Sequence, residues 1–342
     1  MNDVMLTSSP HSHQGTSVGQ IMRQLLLACV PGAAALWFCF GWGVVINIAW
    51  FSALALLLEA SILKLRKRPV LATLRDCSAV LTAVLLALSV PPTLPWWAGL
   101  TGIAFAIVVG KQLYGGLGFN PFNPAMAGYA ALLIAFPVQM TRWLLPDGVT
   151  PALPSLADSL SIFLDRELLQ GIDAYTGATP LDKFRQHGEQ LVSEFWQSTP
   201  LMGQWSGRGW EWINAGFLFG GLYLLYKRII SWHIPVAFIA ALALLAALFY
   251  DGGNAHSHGS PLMHLFAGGT MLGAFFITTD PVTAATTLRG KVIYGALIGG
   301  VVFLIRAFGN YPDGIAFAVL LGNAAAPLID ALTRPRTFGH PQ

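Results

Sequence analysis

The sequence predicts an all-α polytopic membrane protein of about ten transmembrane helices, arranged as two inverted five-helix repeats with one long extracytoplasmic loop. Three observations support this fold class. The 342 residues are 55% hydrophobic and only 10% charged, whereas soluble domains carry about 25% charged residues. The apolar runs are long and continuous. Proline-containing breaks recur in the same order in both halves of the chain.

Ten windows are apolar over the roughly 20 residues that a transmembrane helix needs. Helices are expected because a backbone in lipid must satisfy its own hydrogen bonds, and the continuous runs exclude the alternating strands of an outer-membrane barrel. The predicted spans are 23–41, 43–63, 71–90, 95–111, 124–141, 213–230, 233–250, 262–279, 290–308 and 312–332. The predicted organisation is an N-terminal tail 1–22, a first half 23–141, a loop 142–212, a second half 213–332 and a C-terminal tail 333–342.

The short loops indicate the orientation of the spans. With a cytoplasmic N-terminus, 13 Lys and Arg residues lie inside and 6 outside, and five of those 6 belong to the long loop. Positive charge concentrates on the cytoplasmic side of membrane proteins. We therefore expect a bacterial inner-membrane protein with both termini in the cytoplasm and the loop 142–212 in the periplasm. The first twenty residues lack a basic region and a cleavage site, so the first span is expected to be retained.

The two halves share a pattern of breaks. Pro91 follows the third span and Pro121 precedes the fifth, 30 residues later, while Pro281 follows the eighth span and Pro312 precedes the tenth, 31 residues later. Because five spans is an odd number, two halves related in this way are inverted relative to each other. In such architectures a binding site forms at the repeat interface and is lined by broken helices.

Several kinds of site are not expected. Cys29, Cys39 and Cys77 lie in apolar stretches without C-x-x-C spacing, which indicates buried thiols rather than disulfides, zinc or iron–sulfur ligands. The segment 254–258 with His264 is typical of a solvated loop rather than a metal site. No basic face with interleaved aromatic residues suggests nucleic-acid binding.

One of the breaks between predicted spans contains more glycine and asparagine residues than a simple turn requires. The segment 115–128 combines several glycines with Asn120 and Asn123. Glycine allows the backbone to approach a planar ligand closely, and asparagine offers both a donor and an acceptor. A helix start with Asn123 as N-cap and Pro124 at the first helical position explains the same residues. Both interpretations can hold at once.

The loop 142–212 is the one long polar segment, and long loops in compact proteins are usually functional. A short helix is predicted over 156–169, with Leu156, Leu160, Phe163 and Leu164 on its apolar face. Further on, Pro180 keeps Thr179 extended between small neighbours, and this geometry presents a hydroxyl. The hydroxyl could be the acceptor of a group transfer, or the segment could simply form a turn.

The segment Asp173-x-x-Thr176-Gly177-Ala178-Thr179 matches the flavinylation motif D-x-x-[ST]-G-A-[ST]. Nearly the whole chain resembles the family of the D subunit of the Rnf (Rsx) electron-transport complex, which is related to the B subunit of the sodium-translocating NADH:quinone oxidoreductases. Other segments that carry the resemblance are Ser9–His13, Gly116–Gly128, Thr279–Thr283 and Gly322–Pro327.

The resemblance implies FMN bound covalently to Thr179 through a phosphoester made by a flavin transferase, with Asp173, Thr176, Gly177 and Ala178 as recognition residues. It also implies a second, non-covalent flavin such as riboflavin, for which Asn120 and Asn123 are candidates. The expected partners are the other Rnf subunits, including a second covalent-flavin subunit, and membrane lipid. The complex couples ferredoxin and NAD redox chemistry to ion movement, and the chain is not expected to act alone. The alternatives are a non-redox permease or channel with an inverted-repeat fold, or a structural scaffold.

Overall fold

The computed structural model describes residues 17–149, 152–166, 171–186, 188, 190–255, 257–309 and 311–334. The helices are α1 (Val18–Phe40), α2 (Trp42–Leu65), α3 (Val70–Leu74), α4 (Ser78–Ser89), α5 (Trp96–Ala104, continued by a π-helix Phe105–Gln112), α6 (Pro124–Ala135), α7 (Pro137–Thr141), α8 (Leu156–Phe163), α9 (Pro180–Arg185), α10 (Val192–Ser198), α11 (Trp210–Tyr226), α12 (His233–Leu248), α13 (Pro261–Phe266), α14 (Thr270–Leu272, continued by a π-helix Gly273–Ile277), α15 (Leu288–Phe308) and α16 (Ile315–Leu332). Two short 3-10 helices cover Ile172–Ala174 and Asp251–Gly253. A two-stranded sheet joins β1 (Trp143–Leu144) and β2 (Thr176–Gly177).

This is a helical, multi-pass architecture. Among the described residues, α1, α2, α15 and α16 are long and apolar enough to cross a membrane, and α4, α6 and α12 are shorter apolar helices. All ten predicted spans coincide with helical segments, although several of those segments are short or interrupted. The number of membrane crossings and the inverted repeat stay predictions. The predicted tails lie largely outside the described residues.

Three predicted spans are interrupted, each for a local reason. In 71–90, the Asp76 carboxylate accepts from the backbone N–H of Ser78 at 2.7 Å and Cys77 adopts φ 61°, so the chain stops and restarts there. In 124–141, Pro137 starts a new helix because proline cannot continue the preceding one. In 262–279, α13 ends at Phe266 and the chain resumes as α14. Hydropathy does not reveal these breaks.

The helices of the two predicted halves pack in corresponding ways. In the first half α2 contacts α4 and α5, and α5 contacts α6. In the second half α12 contacts α13 and α15, and α15 contacts α16. The halves meet where α1 packs on α11 and α6 packs on α16. One continuous hydrophobic core runs through both halves.

Buried asparagines hold two of the breaks between helical segments. Asn214 on α11 donates from Nδ2 to carbonyl oxygens in the 266–268 break, at 3.0 and 2.8 Å, and its Oδ1 accepts from the backbone N–H of Met271 at 3.0 Å. Asn47 on α2 donates to the carbonyl oxygen of Pro91 at 3.1 Å. These side chains satisfy backbone groups that a broken helix leaves without partners.

The motif segment is paired with the start of the loop by backbone hydrogen bonds, and a small separate core packs it on α13. Trp143, just after α7, pairs with Gly177 in the antiparallel sheet. A separate apolar cluster packs α9 and α10 against α13 and is made of Leu181, Phe184, Phe195, Met202, Met263 and Ala267. The loop segment that contains the predicted motif is therefore fixed to the residues just after α7 and to α13.

The predicted helix over 156–169 forms only as Leu156–Phe163, and 167–169 lie outside the described residues. Its predicted apolar face is wrong in part. Ser159 and Ile162 are the buried positions, while Leu156 and Leu160 are exposed. Tertiary packing against α2 turned the helix away from the face that its leucines suggested.

Candidate functional site

Thr179 is the N-cap residue of α9. Its backbone is extended, at φ −67° and ψ 158°, and Pro180 occupies the first helical position, so the predicted local conformation is confirmed. The Thr179 Oγ1 donates to Asp182 Oδ2 at 2.7 Å and accepts from the Asp182 backbone N–H at 3.2 Å. The side chain is only 9% exposed. The hydroxyl is thus available to a ligand inside the protein but is not displayed on its surface.

Asp182 links this hydroxyl to a cation. Asp182 Oδ1 lies 3.8 Å from Arg185 Nη1, and Arg185 Nη2 donates to the carbonyl oxygen of Tyr311 at 2.6 Å. Burial raises the pKa of the Asp182 carboxyl; the hydrogen bond with Thr179 and the charge of Arg185 oppose that rise without cancelling it. The pair couples α9 to the connection between α15 and α16.

Below Thr179 lies a cavity of about 70 Å³, which we call the loop-side cavity. Its lining is mostly apolar and aromatic and comes from the loop and from both halves. The residues that matter here are Thr179, Met126, Tyr129, Trp143, Trp210 and Asp313. Trp143 and Trp210 stack edge to face at 5.1 Å. A mostly apolar lining with a few polar groups is typical of ligand sites, but such sites usually enclose about 300–1,000 Å³, so a cofactor ring would require this cavity to widen.

Asp313 is the charged group that lines the loop-side cavity, and it is held by a buried arginine. Arg306 on α15 has a side chain that is 1% exposed, and its Nη2 lies 2.9 Å from Asp313 Oδ1. Its Nη1 donates to the carbonyl oxygen of His264 and to Thr270 Oγ1, both at 2.9 Å. His264 is buried, so the prediction that it belongs to a solvated loop is wrong.

Three further motif residues line a groove that also contains charged side chains. Thr176, Gly177 and Ala178 line this groove together with Arg142, Asp182 and Arg185. Asp173 is exposed in the preceding 3-10 turn. Gly177 does not adopt the left-handed conformation; small size is what matters, since a Cβ there would lie 2.7 Å from Leu145 Cδ2.

Asn120 and Asn123 lie together at a second cavity of about 130 Å³, which also contains Lys111 and Asp280. Asn123 is the N-cap of α6, as predicted, and accepts from the backbone N–H of Met126 at 3.2 Å. Asn120 Nδ2 donates to the carbonyl oxygen of Phe122 at 3.0 Å, while its buried Oδ1 has no partner among the described residues. A buried acceptor of this kind needs a donor, and a flavin ring N–H could supply one.

The two cavities lie at opposite ends of the helices. Trp210, the first residue of α11, lines the loop-side cavity, whereas Ile229, just past its last turn, lines the second one. The partition between them is thin, because Phe276 faces the second cavity and its neighbour Ile277 faces the first.

Sequence reasoning missed Asp182, Arg185 and Asp313. The first had a local signal: Thr179-Pro180-Leu181-Asp182 has the capping pattern of a Thr followed three residues later by an acidic residue. Arg185 meets Tyr311 across 126 positions of sequence, and no local pattern predicts such a contact. The three cysteines are free thiols; Cys29 is buried as predicted, whereas Cys39 and Cys77 are only partly buried, so the predicted burial is wrong for these two.

Comparison with known proteins shows the family of the chain. The family model described as "NQR2, RnfD, RnfE family" matches residues 5–339. The chain belongs to this family. It is 51% identical over 350 residues to the D subunit of the ion-translocating oxidoreductase complex of Erwinia tasmaniensis, covering 98% of both chains. It is 50% identical over 340 residues to the protein of the same description from Cellvibrio japonicus, covering 97% of this chain and 94% of that one. The resemblance predicted from the sequence is confirmed.

Proposed function

We propose that this chain is the flavin-carrying membrane subunit of an ion-translocating electron-transport complex and holds FMN covalently on Thr179. The complex would couple redox reactions of ferredoxin and NAD to ion transport. The observation that carries the proposal is the position of Thr179. The motif threonine lines an apolar, aromatic cavity formed by both halves, and its neighbours Ala178 and Asp182 line a groove with charged side chains. A phosphoester-linked flavin has these two chemical parts, a charged phosphate and an apolar ring.

The flavin would supply the redox chemistry, and the residues around it would set its position and surroundings. Trp143, Tyr129 and Met126 provide the apolar walls for a ring. Before the flavin is attached, the Asp182 carboxylate accepts a hydrogen bond from the Thr179 hydroxyl. The exposed Asp173 suits recognition by a flavin transferase. The other partners would be the remaining subunits of the complex, including a second subunit with covalent flavin.

The second cavity supports a non-covalent flavin such as riboflavin. Asn120 Oδ1 is a buried acceptor that has no partner among the described residues, and Asn123 lies beside it. The two cavities face opposite ends of the helices, so the proposal places one flavin on each side of a thin partition. This arrangement suits a redox path that passes through the chain.

The corresponding packing of the two halves supports the inverted repeat of ten spans. Equivalent spans meet across the centre, since α1 packs on α11 and α6 on α16. We propose that both termini lie in the cytoplasm of a bacterial cell and that the loop 142–212 lies in the periplasm, consistent with the distribution of Lys and Arg.

The covalent link is tested on a denaturing gel viewed under ultraviolet light, with the chain produced beside an active flavin transferase. The wild-type band and Thr179→Ser should fluoresce, because both keep a hydroxyl at the acceptor position. Thr179→Val should be dark. Thr199→Val, a loop threonine outside the motif, is the matched control and should stay fluorescent.

A dark wild-type band would overturn the proposal and favour the non-redox permease, which predicts no chromophore. A fluorescent Thr179→Val band would move the attachment point elsewhere. Full activity of the assembled complex with Thr179→Val would leave only a scaffold role for the chain.

A further inference from the structure

The groove beside Thr179 contains two arginines that the flavin motif does not include. Arg142 and Arg185 line it together with Asp182 and the motif residues Thr176 to Ala178. This deepens the proposed function and rests on it, because the question is what happens to charge once Thr179 is esterified. A phosphodiester at Thr179 has one negative charge and lacks the proton that the hydroxyl now donates to Asp182.

The phosphate must then avoid two carboxylates. Before attachment, Thr179 Oγ1 is 2.7 Å from Asp182 Oδ2, so an esterified oxygen at that place would bring two acceptors together. On the cavity side, Asp313 lines the same space as Thr179, and its cation Arg306 already donates to Asp313, His264 and Thr270 and has no donor to offer a phosphate. Like charges this close repel, and the repulsion is stronger where water is scarce. The arginine side of Thr179 is therefore the favourable direction for the phosphate.

Arg185 has free hydrogen-bonding capacity for this anion. Its Nη2 is fixed by the carbonyl oxygen of Tyr311 at 2.6 Å. Its Nε is buried and has no partner among the described residues, and its Nη1 is 3.8 Å from Asp182, beyond hydrogen-bond distance. An arginine held at one nitrogen, with donors left over, is suited to bind a phosphate at two points.

We propose that Arg185, assisted by Arg142, is the phosphate-binding residue of the covalent flavin. On attachment, the guanidinium turns its free donors from Asp182 to the phosphodiester and keeps its contact with Tyr311. The groove then holds the phosphate while the ring lies in the loop-side cavity. The contact with Tyr311 ties the flavin linkage to the segment that joins α15 and α16.

The test is the phosphorus-31 NMR resonance of the flavin-loaded chain in detergent, before and after denaturation. Lys183→Gln is the matched control, because Lys183 is on the same helix but lines a different groove. Wild type and Lys183→Gln should show the same native resonance, displaced from the denatured one. Arg185→Gln should lose at least half of that displacement, and Arg185→Lys should lose less. A native resonance unchanged in Arg185→Gln would overturn the proposal.

A second measurement needs no variant of Arg185. Modification of Arg185 by phenylglyoxal, followed by mass spectrometry, is compared between flavin-loaded wild type and Thr179→Val. We expect at least threefold slower modification of Arg185 in the flavin-loaded protein. If Arg185→Gln does not acquire covalent flavin, this comparison alone tests the phosphate contact. Equal rates would refute the assignment. A wild-type chain without covalent flavin would refute the proposed function instead, so the two failures are distinguishable.

Discussion

Replacing Arg306 by methionine should destabilise the protein more than any surface change. The side chain is 1% exposed and its ion pair with Asp313 is 2.9 Å long. Arg306 Nη1 also donates to the His264 carbonyl oxygen and to Thr270 Oγ1. Arg306→Met removes these donors and leaves Asp313 without its cation. Breaking a buried ion pair from one side costs about 3–5 kcal/mol. Arg306→Lys keeps the positive charge but loses some of the guanidinium hydrogen bonds, which should lower the free energy of unfolding by about 1.5–3 kcal/mol.

The free energy of unfolding can be followed in detergent through the reactivity of Cys29, which is 1% exposed, in a background where Cys39 and Cys77 are serine. Arg306→Met combined with Asp313→Asn should cost less than the sum of the single changes, because no buried charge is then left unpaired.

The matched control for this series is Arg208→Met. Arg208 is an exposed loop residue that donates to the carbonyl oxygen of Gly148 at 3.2 Å, so the change should stay within about 0.5 kcal/mol. A loss below about 1 kcal/mol for Arg306→Met would refute the reasoning. So would strict additivity of the double variant, since it would mean that the two side chains do not depend on each other.

Three further outcomes are expected. The folded-state pKa of Asp182 is raised, so the free energy of unfolding of the wild type falls as pH rises above the unfolded-state pKa of about 4. Asp182→Asn should therefore become more stable relative to wild type between pH 4 and pH 8. A difference in unfolding free energy that does not change with pH would contradict this. Asn214→Ala leaves buried backbone groups unpaired, at a cost of about 1–3 kcal/mol each, so amide hydrogen exchange over 267–272 should accelerate. This acceleration should exceed the one that Asn47→Ala causes over 90–95. Unchanged exchange in Asn214→Ala would show that this side chain does not hold the break between α13 and α14. Cysteine in place of Ser198 should react with an impermeant maleimide from the periplasm, whereas labelling only after lysis would reverse the predicted orientation.

Local signals predicted the conformation of the site better than its contacts. The extended Thr179 before Pro180 and the N-cap at Asn123 both follow from short-range preferences of threonine, asparagine and proline. The family was also recognisable, because the motif around Thr179 is specific. Hydropathy located helical segments at all ten predicted positions but did not show that α13 ends at Phe266. An average over about 20 residues does not register the Gly268–Gly269 pair, which is a local turn signal.

The unpredicted parts are long-range. Arg306 pairs with Asp313, only seven residues away in the sequence. What the sequence could not provide is that the pair also holds the carbonyl oxygen of His264, 42 positions away, at the edge of the loop-side cavity. Such contacts depend on how α15 packs against the α13–α14 break, which no window of sequence contains.

The partition between the two cavities distinguishes the proposed functions. A permease would need this partition to open, whereas a redox subunit needs it to stay closed while cofactors on either side remain in place. It is held from both halves: Asn123 Nδ2 donates to the carbonyl oxygen of Ile277 at 3.4 Å, and the Asn123 backbone N–H donates to Asn323 Oδ1 at 2.9 Å. Asn323 in turn donates to the hydroxyl of Tyr294 at 2.8 Å. The π-helix that contains Ile277 is a rare local geometry that is often kept at functional sites. A segment of this kind, fixed by buried hydrogen bonds, is poorly suited to be a gate, so the same residues that separate the cavities favour the redox interpretation.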